Sequence, residues 1–198
     1  LVGGILLSAI LGPWAALITL ASVLVIQCLA FADGGFMALG ANILNMAVFS
    51  CLVAYPLIFK PLMKPDASPG RILAASVLAS VAGLELGALA VTVETEASGI
   101  TALPMGQFLL FMLPIHLFIG IGEGLATAAV IYVVQRYKPE LLSGVRRRKP
   151  AGKRKFGKAL AAIALAALLI GVTSAIYIIF VLAGWLFCLA VYYTVKLM

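Results

Sequence analysis

The thirty residues from Gly106 to Gln135 contain one charged side chain, Glu123, and the only histidine of the chain, His116. A helix rises about 1.5 Å per residue and the hydrocarbon core of a bilayer is about 30 Å thick, so roughly twenty apolar residues cross it. A run this long and this apolar restricts the chain to very few folds. Composition narrows the choice further: 64% of the 198 residues are hydrophobic and 11% charged, with a mean hydropathy of +1.18. A soluble domain has about 45–50% apolar and about 25% charged residues. So much apolar surface cannot be hidden inside a chain of this size, so the bilayer is its solvent. The expected fold class is all-α, a polytopic transmembrane helix bundle of about six to seven spans in the full chain.

The apolar segments divide at recognisable breakers. Leu1–Leu11 is too short to span and reads as the exit end of a helix that starts earlier. Gly12 and Pro13 form a turn, and Pro13 suits the first position of a helix, where no backbone N–H is needed. That helix is predicted to reach Phe31, where "ADGG" (32–35) breaks it. A second span is predicted over Asn42–Phe59, and "KPLMKPDASPGR" (60–71) is a polar, proline-rich loop. The third runs from Arg71 to Val93, with "ETEASG" (94–99) as a loop, and the fourth from Gly106 to Tyr137, where Pro114 can kink it.

Charge sets the orientation. Ten of the fourteen Lys and Arg residues lie between Arg136 and Lys158, and Lys60, Lys64 and Arg71 mark the earlier basic loop. The turns at 32–35 and 94–99 carry only Asp33, Glu94 and Glu96. Positive loops stay in the cytoplasm, so the net charge of +7 is a topology signal. Anionic headgroups are the expected contact of "RRRKPAGKRK" (146–155), and nucleic acid is not an expected partner. Residues 1–140 thus form one membrane component and 141–158 a basic cytoplasmic linker. Residues 159–198 carry one charge, Lys196, over about twice the length of a single span. Two spans are expected there, joined by a polar loop that is missing from the sequence near Ala175–Ile176.

Within the fourth span, Gly120, Glu123 and Thr127 fall on the same helical face as His116. Ionisable groups at membrane depth are costly and usually functional, so this stripe is expected to face a polar interior, with Gly120 leaving room for a close approach. The alternative is an interhelical hydrogen bond that only fixes the bundle. Asn42 and Asn45 share a face at the start of the second span, where Asn42 is placed at or near the N-cap. Glu85 lies near mid-membrane, opposite a small-residue stripe of Ser76, Ser80, Gly83 and Gly87 suited to close helix contact. Cys28, Cys51 and Cys188 lie far apart in predicted spans, without metal-ligand spacing, and read as small hydrophobes. The sequence has no P-loop, no HExxH and no nucleophile beside a histidine, so a membrane enzyme is the least supported reading.

"ADGGFMALGANILNMAV" followed by "HLFIGIGEGLAT" resembles the CbiM/NikM family, over about residues 1–140. The resemblance implies the substrate-binding membrane component of an energy-coupling-factor importer for nickel or cobalt, in the cell membrane. ATP hydrolysis would fall to partner ATPase subunits, coupled through a transmembrane T component. The transported nickel(II) or cobalt(II) would be held by ligands upstream of Leu1, since "LVGG" (1–4) resembles the segment that follows a metal-binding histidine. Asp33, Asn42, Asn45, His116 and Glu123 match the motifs and take supporting roles around the site or its loops. The tail resembles a fused N component, and this together with "MALGANILNM" tilts the reading towards nickel. Two other classes stay open: a secondary transporter or channel using the His116/Glu123 stripe as a proton or ion relay, and a structural membrane scaffold.

Overall fold

The computed structural model describes residues 3–31, 34–64, 67–99 and 104–142. Asp33, the basic linker from residue 143 onward, Cys188 and the two spans expected over 159–198 lie outside the described residues. Among the described residues every regular element is helical. Helix α1 covers Gly4–Leu11 and α2 covers Pro13–Phe31. Helix α3 covers Leu39–Leu62, α4 covers Pro69–Ala97 and α5 covers Met105–Tyr137. The last four are long and apolar enough to cross a membrane.

Local sequence explains most of the boundaries. Gly12, at φ 85, ends α1, and Pro13 opens α2 directly behind it. Ser68 caps α4 by accepting the Arg71 N–H at 3.4 Å, with Pro69 in the first turn. Helix α5 passes through Pro114 without interruption.

Three expectations change. Leu1–Leu11 is not the end of a longer continuous helix, because Gly3 stands in the left-handed region at φ 68 and α1 starts at Gly4. Asn42 is no cap: α3 begins at Leu39, preceded by Ala38, and Asn42 sits inside it. Glu94 belongs to α4 rather than to a loop, since the helix continues to Ala97. Within α3, Ile43–Phe59 is wound as a π-helix, and the Lys60 N–H reaches back five residues to the Tyr55 carbonyl. Pro56 lies inside this stretch.

In hydrocarbon, apolar side chains gain little by leaving lipid, so helices associate through close contact and interhelical hydrogen bonds. The small-residue stripe of α4 serves this purpose. Ser76, Ser80, Gly83 and Gly87 are all buried. A Cβ on Gly83 would stand 3.3 Å from Ser50 Cα, and one on Gly87 would collide with the Asn45 carbonyl oxygen. The backbone of α3 therefore lies directly on α4. On another side of α4, Gly120 and Gly124 of α5 meet Val81 and Val77. Each turn up α4 matches a turn down α5, as in any antiparallel pair. Ile5, Ala9, Tyr55, Phe59, Ile72, Ala79 and Ile131 fill one core cluster, with the Tyr55 and Phe59 rings stacked at 5.5 Å. Trp14, Ile18, Leu29 and Phe31 of α2 face outward.

Topology brings the basic residues to one end. Lys60, Arg71 and Arg136 sit where α3 ends, α4 starts and α5 ends, and Gln135 Nε2 donates to the Ala67 carbonyl at 3.5 Å. Glu94 and Glu96 occupy the opposite end of α4.

Candidate functional site

Glu123 is 3% exposed and lies about 27 Å along α5 from Met105, deep in the span. Its Oε1 accepts the Gly3 N–H at 3.1 Å. This bond reaches from α5 to the backbone just ahead of α1. The left-handed Gly3 turns the chain at that point, a conformation glycine adopts without steric cost. Gly4 follows in a space where a Cβ would collide with Ser50. The start of α1 is thus held between α3 and Glu123, inside the bundle. Thr127, one turn along α5, is 2% exposed, and Gly120 is buried against Val81, so the expected polar stripe does face inward.

His116 completes that stripe only in part. It is half-buried, and its Nδ1 lies 2.8 Å from the Met112 carbonyl of its own helix. A carbonyl can only accept, so Nδ1 donates this bond and Nε2 takes no part in it. Glu85 of α4, one turn on from Val81, stands at the level of this ring across the α4–α5 seam. Glu85 Oε1 is buried without a hydrogen-bond partner. His116 and Glu123 share a helix but engage different neighbours.

Nearer the acidic end, Asn45 is 5% exposed and its Nδ2 donates to Glu94 Oε2 at 2.8 Å, joining α3 to α4. Its Oδ1 is buried and unpaired. Asn42 contacts Gly34 in the preceding turn, where a Cβ would collide with its side-chain amide. Gly34 and Gly35 are both left-handed. The two asparagines therefore do different jobs: Asn42 seats the turn and Asn45 ties two spans.

Sequence reasoning passed over the contacts of Glu94 and Gly3. Their contacts join residues far apart in the chain, and helical periodicity carries no signal for such pairs. Cys51 is buried with Sγ 3.8 Å from the Gly4 carbonyl, and Cys28 is buried as well; neither forms a disulfide. Among the described residues no group of three or more His, Cys, Asp or Glu side chains stands together as a metal site would require.

Comparison with known proteins gives this geometry a family. Residues 1–141 match the model of the family CbiM, cobalt uptake substrate-specific transmembrane region. The chain is 35% identical over 145 residues to the putative fused nickel transport protein NikMN of Archaeoglobus fulgidus, covering 71% of this chain and 46% of that protein. It is 37% identical over 145 residues to the probable fused nickel transport protein LarMN of Lactiplantibacillus plantarum, covering 70% and 44%. The cobalt transport protein CbiM of Desulforamulus reducens is 28% identical over 154 residues, covering 77% and 61%. The match thus takes in about half the length of the first two relatives. No solved structure matches. Four helices of spanning length and this match make the chain an integral membrane protein. It belongs to the CbiM family, the cobalt uptake substrate-specific transmembrane region.

Proposed function

We propose that the chain is the substrate-binding membrane component of an ATP-driven energy-coupling-factor importer for nickel or cobalt ions, with nickel favoured. Two relatives named as fused nickel transport proteins support the preference. The transported ion is the substrate, and its main ligands lie upstream of Leu1. The observation that carries the reading is the Glu123–Gly3 bond, which draws the backbone ahead of α1 into the bundle interior. Glu123 holds that segment in place. Imidazole and amine nitrogens suit nickel(II) and cobalt(II), and capture requires no bond-breaking chemistry from this chain. The basic end, with Lys60, Arg71 and Arg136, faces the cytoplasm, and Glu94 faces outward. Asn42 seats the outer turn and Asn45 ties α3 to α4, while His116 stands between that turn and Glu123. A transmembrane T component and ATPase subunits drive release to the inside, and residues beyond 158 act as a fused N component.

Metal content of the full-length protein tests this, after equal exposure to nickel, cobalt, zinc and magnesium. Near-stoichiometric nickel or cobalt, with uptake in membranes that depends on the ATPase subunits, is the expected result. Uptake without any ATPase would instead support the secondary-transporter reading. No retained metal and no uptake would leave a structural scaffold.

A further inference from the structure

Three features of the α4–α5 seam are unexplained by Glu123 and its bond to Gly3. The His116 ring donates Nδ1–H to the Met112 carbonyl, which leaves Nε2 outside that bond. Glu85 Oε1 is buried with no hydrogen-bond partner. Helix register puts the two residues at the same level: Gly124 lies on Val77 and Gly120 on Val81, so the next turn sets His116 beside Glu85. Buried polar atoms normally find partners, and one left bare beside an imidazole nitrogen calls for an occupant.

We infer that Glu85 and His116 form a second, weaker divalent-cation site, a two-ligand waystation on the α4–α5 seam between the outer end and Glu123. The donor set is one carboxylate oxygen and one imidazole nitrogen, with water in the remaining positions. Histidines that ligate metals typically donate their other ring N–H to a carbonyl or carboxylate, and the Met112 carbonyl already fills that role. Imidazole suits nickel and cobalt, whereas magnesium favours all-oxygen sets. By helical rise Glu85 lies about 13 Å inward of Glu94, and His116 about 10 Å outward of Glu123. Two protein ligands bind more weakly than a full set, which is what an ion that must move on requires. The inference rests on the importer reading for the nature of the cation and for the orientation.

The test is a titration of the full-length protein in lipid nanodiscs with cobalt(II) chloride, counting bound equivalents by equilibrium dialysis and following the cobalt visible absorption. Wild type is expected to bind one tight and one weaker equivalent. Glu85→Gln and His116→Gln should each lose the weaker equivalent and keep the tight one, which also shows that the fold survives. Glu85→Asp, which keeps a carboxylate, should retain it. A wild type with only the tight equivalent would overturn the inference, as would a weaker equivalent that persists in both glutamine variants. Loss of both equivalents together in either variant would also overturn it, since the pair would then be serving the fold. A wild type without the tight equivalent would count against the importer reading, and the waystation is judged on the weaker equivalent alone.

Discussion

Adding one methyl to Gly120 tests how closely α4 and α5 must approach. A Cβ there would stand 2.8 Å from Val81 Cα and 3.1 Å from its Cγ2. Ordinary Cβ contacts begin at 3.4 Å, and the obstacle is backbone, so the two helices must separate. Forcing a methyl into a filled interface costs about 1–3 kcal/mol. Parting the helices by even 0.5–1 Å also forfeits a quarter to a half of the dispersion attraction along the contact. Alanine recovers about 0.5–1 kcal/mol through its better helix propensity. Gly122 separates these terms, because it lies on the same helix and a Cβ there meets nothing within 4 Å. Gly122→Ala should be neutral or stabilising by up to about 1 kcal/mol. Gly120→Ala should fall below Gly122→Ala by about 1–3 kcal/mol, with Gly124→Ala at the upper end because its Cβ would run into the Val77 backbone. Equilibrium unfolding of the full-length protein in mixed micelles, titrated with denaturing detergent, measures the difference directly. Equal stability of the Gly120 and Gly122 variants would refute the close approach.

Glu123→Ala should reduce metal uptake more than it reduces membrane insertion, compared by ion uptake and by quantitation of folded protein; equal losses would assign Glu123 to the fold. Asn45→Leu removes the donor to Glu94 Oε2 and should destabilise the outer junction of α3 and α4 by about 1–3 kcal/mol, read in the same detergent titration. Unchanged stability would show that this bond contributes nothing net. Gly34→Ala combines a left-handed backbone with a collision against Asn42, and should cost about 1–2 kcal/mol and hasten proteolysis of the 34–38 turn. Wild-type cleavage rates would remove the argument.

The spans were legible because hydrocarbon thickness imposes a length and because Gly12–Pro13 and Ser68–Pro69 punctuate it. The α4 stripe was legible for a related reason: small residues at helical spacing declare a contact face without naming what touches it. Asn42 misled because an asparagine near a helix start usually caps it, whereas here α3 begins at Leu39 without a side-chain cap. Glu94 misled because an acidic, threonine-containing stretch looks like a loop, while Thr92 and Thr95 each donate to a carbonyl four residues back and the helix runs on. The pairings of Glu123 with Gly3 and of Asn45 with Glu94, and the register that sets Glu85 level with His116, had no local signature at all. Each depends on which helices become neighbours, and only tertiary structure decides that.

The short α1 has an electrostatic consequence. Its first turn leaves backbone N–H groups aimed at the bundle interior, and a helix start carries about half a positive charge. At about 5 Å and an effective dielectric constant of about 20, that half charge repels a doubly charged ion by roughly 3 kcal/mol. Glu123 Oε1 accepts the Gly3 N–H at this end, so an electronegative oxygen meets it. Without Glu123 this positive end would stand bare toward the bundle centre.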